Sequence, residues 1–192
     1  MTDQLDTHAS GYLELFLGPM WAGKSSELVE VYNFAKEHEI NCIAINHAFD
    51  LSSKQLTINT HDGVSIPCVS SDTLNHIFDT SETTKGFDYD IILINEGQFF
   101  PDLYEWTKYM VNYQYKTIYI AALDGDYKQV GFSNIMQLIP EADQINKLHN
   151  RCKECNLSWA IFTHRTSNQT TQILPGSDHY IPLCRKCYNK RI

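Results

Sequence analysis

Apolar residues fall along this chain in two rhythms, and the rhythm changes near residue 150. Before that point, short runs at Tyr12–Leu17, 42–45, 91–94 and 117–123 are almost wholly apolar. Runs with no polar face suit strands buried on both sides of a parallel sheet. Between them, apolar positions recur at helical spacing. Residues 25–38 predict a helix with Leu28, Val31, Tyr32 and Ala35 on one face, and 103–111 predict another with Leu103, Trp106, Tyr109 and Met110. A shorter helix is expected over 73–78. Residues 48–66, rich in Ser, Thr, Asn and Asp, read as a long loop or loose hairpin. Strands that alternate with helices imply right-handed crossovers, hence an α/β fold with a mainly parallel sheet and helices on both faces.

The chain has 192 residues, enough for one core plus a small appendage. The division expected is a polar tail at 1–10, a main α/β domain at 11–149 and a small C-terminal domain at 150–192. No apolar run approaches the ~18–20 residues that span a bilayer. The first ten residues carry two acids and no apolar stretch, so they read as a frayed tail rather than a secretory signal. That reading places the chain in the reducing cytoplasm, where metal is a better use of cysteine than a disulfide. Cys42 and Cys68 stand alone in apolar segments and are expected to be buried, inert thiols. The net charge of −8 argues against a general nucleic-acid binder. From Arg151 onward seven bases face only two acids, which is read as an offset to metal-bound thiolates.

Gly18-Pro19-Met20-Trp21-Ala22-Gly23-Lys24-Ser25 matches GxxxxGK[ST], with a strand entering and an amphipathic helix leaving. Its glycines let backbone N–H groups close round a polyanion. Lys24 would then reach the β- and γ-phosphates of ATP, and the Ser25 hydroxyl would ligate Mg²⁺. The apolar run 91–94 ends in Asn95-Glu96-Gly97-Gln98-Phe99-Phe100. Ligands of open α/β sheets collect at the carboxyl ends of strands, so Glu96 is the candidate general base. Gly97 permits a sharp exit, and Phe99 and Phe100 offer flat surfaces to a base. Cys152, Cys155, Cys184 and Cys187 form two CxxC pairs around 28 residues. Four thiolates on two tight knuckles suit a closed, structural Zn²⁺ site.

These motifs, with Ala121-Ala122-Leu123-Asp124-Gly125 and Tyr180, resemble the zinc-containing, P-loop thymidine kinases of cells and large DNA viruses. The resemblance runs from residue 11 to residue 188. It implies a P-loop NTPase-like sheet with a small zinc-ribbon and lasso domain. It implies ATP-dependent phosphorylation of thymidine, and of deoxyuridine, at the 5′-hydroxyl, with Glu96 as base. Gly18 to Ser25, Asn95 and Gln98 would serve ATP, with Ser25 and Asn95 serving Mg²⁺. Met20, Phe99, Leu123, Tyr127, Phe132, Thr171, Ile173 and Tyr180 would surround the nucleoside, and Asp124 would lie beside them. A homotetramer inhibited by dTTP is also implied.

Two departures stand out. The family usually has Asp before the catalytic Glu, where this chain has Asn95. It commonly has an arginine in the loop after the second strand, where this chain reads Asp50-Leu51-Ser52-Ser53, with Lys54 next. Thr60-His61-Asp62 matches the family but suggests no chemical step, and the other histidines read as surface or loop positions. Two other classes fit less well. A nucleic-acid-binding zinc ribbon lacks the basic stripe it needs, and a degenerate nucleotide binder would not need to keep Lys24, Ser25 and Glu96.

Overall fold

Four of the apolar runs lie side by side in one sheet. The computed structural model describes residues 10–49, 56–77, 88–172, 174 and 176–191. In chain order, β1 is Tyr12–Leu17, α1 Lys24–Glu37, β2 Cys42–His47, β3 Thr57–Asn59, β4 Ser65–Pro67, β5 Val69–Ser71 and α2 Leu74–Ile77. There follow β6 Ile91–Asn95, α3 Leu103–Asn112, β7 Thr117–Ala122, α4 Ser133–Leu138 and β8 Gln144–Lys147. The C-terminal elements are β9 Asn150–Arg151, β10 Trp159–Ala160, β11 Phe162–Arg165, β12 Tyr180–Leu183 and α5 Arg185–Tyr188. The main sheet has the order β5-β2-β6-β7-β1-β8, and every adjacent pair is parallel.

Period-two alternation splits the core between the two faces of this sheet. Ile92 and Ile94 of β6, with Leu13, Leu15 and Leu17 of β1, pack towards Leu74, Leu103, Trp106, Met110, Ile135 and Leu138 of α2, α3 and α4. Ile91 and Leu93 pack the other way, towards Leu28, Val29 and Ala35 of α1 and Ile58 and Ile66 of the β3–β4 hairpin. All five residues of β6 are buried, which is why its sequence shows no polar face.

Several details differ from the periodicity. Tyr109 is 48% exposed, and the buried face of α3 is Leu103, Trp106, Thr107, Met110 and Val111. Those five positions follow i, i+3, i+4, i+7, i+8, and Tyr109 falls outside the stripe. Val31 and Tyr32 are only half-buried, and Val29 takes the deeper place on α1. β2 runs on through Asn46 and His47 because its pairing with β5 continues to Ser71. His47 is accordingly buried against the edge of Phe100, not on the surface. Within the expected 48–66 loop, the described part is a true hairpin, closed where Thr60 N donates to Val64 O at 2.9 Å. Only residue 78 of the predicted 73–78 helix lies outside the described residues, as does the 50–54 loop. The four residues of α2 hold because the Asp102 carboxylate accepts from the backbone N–H groups of Leu74 and Asn75 at 3.1 and 2.9 Å.

Beyond β8 the chain forms two antiparallel pairs, β9–β10 and β11–β12, and the short α5. Their small core is built on Cys152, Leu183, Cys184, Cys187 and Tyr188. Among the described residues no helix is long and apolar enough to cross a membrane.

Cys42 and Cys68 are half-buried, less deeply set than their apolar segments suggest, and neither is in a disulfide. Burial pushes the Cys42 thiol up to about 12, against a weaker opposing pull from Lys36. A raised thiol stays protonated at neutral pH, and the thiolate is the nucleophile. Alkylation of native protein at pH 7.5, read by peptide mass, is therefore expected to spare Cys42 until the protein is unfolded.

Candidate active site

The sheet register brings the carboxyl ends of β1, β2, β6 and β7 to one edge, with Asn46 beside Asn95 and Asn95 beside Ala121. The turn from β1 into α1 crosses this edge. It passes through left-handed backbone at Trp21 (φ 69°) and at Gly23 (φ 87°), immediately before α1. Lys24 is buried, and its Nζ donates back to Pro19 O at 2.8 Å. Burial lowers its ammonium to about 8, with the Glu96 carboxylate opposing that shift and Lys147 adding to it.

A chain of neutral polar groups runs beside the lysine. Ser25 Oγ donates to Asn95 Oδ1 at 3.1 Å, and Asn95 Nδ2 donates to Asn46 Oδ1 at 2.9 Å. The two bonds fix which way the Asn95 amide points. Its oxygen faces the hydroxyl of α1 and its nitrogen faces β2. A carboxylate here would set oxygen against oxygen unless Asn46 turned its own amide.

Glu96 leaves β6 in a left-handed conformation (φ 56°, ψ 38°) and enters a 3₁₀ turn over Gly97–Phe99. Non-glycine residues seldom hold such angles unless their surroundings impose them. Here Gly97 sits so close to β7 that a Cβ would lie 2.6 Å from Ile120 Cγ2. Asn134 Nδ2 also donates to the carbonyls of Gln98 and Phe100 at 3.1 and 3.0 Å, locking the turn from α4. Gln98 Nε2 donates to Glu96 Oε2 at 2.6 Å, while its Oε1 accepts from Leu123 N at 2.9 Å. Gln98, expected at the phosphates, is thus a strut between the strand end and the glutamate, and it is absent from the cavity wall.

These groups face one cavity of about 550 Å³. Met20, Trp21, Ala22, Gly23, Lys24 and Ser25 form one wall, and Asn95, Glu96, Phe99 and Leu123 form its floor. Tyr127, Phe132, Thr163, Gln172, Leu174 and Tyr180 close the opposite end. Gly18 and Pro19 stand behind the wall, where a Cβ on Gly18 would lie 2.6 Å from Leu148 O. Phe100 is fully buried in the core and offers no surface to a ligand. Thr171 is exposed and outside the wall, and Gln172 and Leu174 take the place expected for it. Ile173 lies outside the described residues. Asp124 forms an ion pair with Lys147 instead of lining the cavity.

The hairpin supplies residues that spacing could not place. Asn59, Thr60 and His61 reach the cavity, and the His61 ring stacks on Trp21 at 3.9 Å between centroids. The Thr60-His61-Asp62 motif was the available signal, without its geometry. The turn after β1 is also tied to the C-terminal strands. Met20 N donates to Thr163 Oγ1 at 3.0 Å, and Asn150 Nδ2 donates to Trp21 O at 2.5 Å.

The ligand atoms of Cys152, Cys155, Cys184 and Cys187 lie within 4.8 Å of one another. Burial raises the Cys152 thiol, but backbone N–H groups of Cys155, Cys184 and Glu154 outweigh it and bring the thiol down to about 6. Burial and the neighbouring sulfurs push Cys187 up. Four thiolates this close need a cation to ionise together, so the set fits a tetrahedral, closed metal site.

The family model described as thymidine kinase matches residues 11–188. A thymidine kinase of Yaba monkey tumor virus (strain VR587) is 37% identical over 182 residues, covering 94% of this chain and 96% of its own length. The thymidine kinase of vaccinia virus (strain Ankara) is 33% identical over 179 residues, covering 93% and 97%. A similar match comes from a plant, thymidine kinase a of Arabidopsis thaliana, 32% identical over 185 residues that cover 96% of this chain and 77% of the relative. With a family match over nearly the whole chain and similarity of this extent to viral and plant relatives, the chain belongs to the thymidine kinase family.

Proposed function

We propose that this chain moves the γ-phosphoryl group of ATP onto the 5′-hydroxyl of thymidine, and of deoxyuridine, with Glu96 taking the hydroxyl proton. The observation that carries the reading is that a buried lysine and a strained glutamate face one cavity, close enough for the carboxylate to oppose the lysine's loss of charge. In the transfer, the nucleoside oxygen bonds to the γ-phosphorus, the bond to the β–γ bridging oxygen breaks, and ADP leaves. Such transfers ask the protein for positioning and charge stabilisation more than for covalent chemistry. Gly18 to Ser25 form the phosphate loop in this reading, with backbone N–H groups and Lys24 on the β- and γ-phosphates. Met20, Phe99, Leu123, Tyr127, Phe132 and Tyr180 hold the nucleoside at the far end, and a close wall there excludes the larger purines.

Ser25 and Asn95 would hold Mg²⁺, Asn95 through a bound water. Its oxygen already points at the Ser25 hydroxyl, so the donor set suits that duty while carrying no charge. The four cysteines would hold Zn²⁺, which supplies folding energy to residues 150–192 and takes no part in the chemistry. Residues 11–149 are then the kinase domain. A cytoplasmic homotetramer under dTTP feedback completes the proposal, on the strength of the family resemblance.

Phosphate transfer from ATP–Mg²⁺ should be measured with thymidine, deoxycytidine, deoxyguanosine and deoxyadenosine in parallel. Thymidine is the expected acceptor, and efficient transfer to deoxycytidine rejects the pocket assignment. Glu96→Gln is expected to lower kcat by ~10²–10⁴-fold with nucleotide binding retained. A variant with near-normal kcat removes Glu96 from the base role. For Asn95→Asp, the Mg²⁺ concentration giving half-maximal rate should fall by about tenfold or more. An unchanged Mg²⁺ requirement would show that the amide is no handicap. Withdrawing zinc with a zinc-selective chelator in excess Mg²⁺ should raise the KM for thymidine and leave ATP binding in place. Parallel loss of both would mean that residues 11–149 do not hold their fold separately.

A further inference from the structure

We propose that Arg165 is the positioning residue that holds the strap of residues 166–172 against the nucleoside end of the cavity, an inference that rests on reading that end as the thymidine seat. Arg165 closes β11 and pairs with Tyr180 of β12 across the ladder. It is only 5% exposed. Its Nη1 donates to the carbonyls of Gln169, at 3.0 Å, and Thr171. Its Nη2 donates to Gln172 O at 2.9 Å and to Tyr180 Oη at 2.6 Å. The guanidinium carbon lies 3.8 Å from the Tyr127 ring centroid and 5.1 Å from that of Tyr180.

The charge is therefore met by backbone carbonyls of one loop and by two aromatic faces. None of the four ion pairs among the described residues includes it. Its Nε is buried without a hydrogen-bond partner, so the fork is aimed at the strap even at the cost of one donor. The other bonds to the strap are scattered along it and just beyond it, from Thr166 N to His179 O, from Tyr127 Oη to Thr170 O, from Gln172 Nε2 to Asp126 Oδ2 and from Leu174 N to Tyr180 Oη, whereas Arg165 gathers three of its carbonyls at one point. Thr170, Thr171 and Gln172 are exposed, so the segment has no apolar interior to offset its loss of backbone entropy. Yet this segment sets Gln172 into the cavity wall, with Leu174 just beyond it. Three carbonyls gathered within four residues need a planar, multi-donor cation, and a lysine is a point charge that cannot bridge them.

The clamp also reaches the cysteine cluster. Tyr188, next to Cys187, donates its hydroxyl to Tyr127 O at 2.5 Å. That bond fixes the backbone whose ring stacks on Arg165, while Tyr127 Oη donates to Thr170 O at 3.1 Å. The geometry thus runs from the metal-binding knuckle through Tyr188 and Tyr127 to the guanidinium and the strap.

Arg165→Met and Arg165→Lys separate this role from mere folding. Backbone hydrogen exchange across 166–172 in the substrate-free, zinc-loaded enzyme should rise about tenfold or more in the Met variant and less in the Lys variant, as hydrogen bonds from a charged donor are lost. The KM for thymidine should rise by about tenfold in the same order, with kcat and the KM for ATP within about twofold of the parent enzyme. Unchanged strap exchange overturns the proposal, and so does a fall in kcat with the thymidine KM held. Faster strap exchange with an unaltered thymidine KM refutes the thymidine seat on which the proposal rests and leaves the clamp standing. Should the Met variant fail to fold, the Lys variant with normal zinc content and melting temperature carries the same test.

Discussion

The Lys24 ammonium sits out of water, where a charge costs on the order of several kcal/mol unless the fold answers it. Much of the site can be understood as that answer. Pro19 O accepts one of its protons, and the Glu96 carboxylate opposes its loss of charge. Both depend on parallel register, which sets the end of β6 beside the turn after β1 through the intervening β7. A bound polyphosphate would meet the same charge far more strongly. A desolvated cation gains most when an anion meets it.

The glutamate has its own requirement, for it is aimed by a backbone conformation that most residues avoid. The surroundings that impose it come from three elements. Gly97 allows the turn to press on β7, Asn134 ties down its carbonyls from α4, and Gln98 spans from Leu123 N to the carboxylate itself. Next door, Asn95 and Asn46 form a neutral buried pair whose amide orientations complement each other. An acid at position 95 would need Asn46 to reorient. The neutral residue at position 95 is thus matched by its partner on the neighbouring strand.

How much of this was legible follows from what kind of signal each part leaves. β6 and β1 were readable to within a residue because burial on both faces forces an apolar run. The GxxxxGK[ST] turn and the paired CxxC knuckles were readable because their chemistry fixes residue type at fixed spacing. Tyr109 was misplaced on α3 because an apolar residue one step off the stripe looks the same in sequence as one on it. Gln98 was placed at the phosphates by family resemblance alone, and its bond to Leu123 N, 25 residues away, leaves no periodic trace in the sequence. Arg165 escaped notice for a related reason. Its partners are backbone carbonyls, which every residue has.

The cysteine cluster and the cavity are joined by hydrogen bonds and ring contacts. The cluster is remote in function from phosphoryl transfer, and a closed tetrahedral site has no position to give a substrate. Its influence must pass through structure. A polar path from α5 to the cavity goes by Tyr188 to the Tyr127 backbone, then by the Tyr127 ring to Arg165. β11 and β12 contribute the other half, since Arg165 and Tyr180 are register partners, the one binding the strap and the other Leu174 just beyond it. A metal that fixes the two knuckles fixes the ladder between them, and the ladder presents a guanidinium already oriented for three carbonyls. The polar strap then needs no core of its own, because the ordering it lacks is supplied at its base.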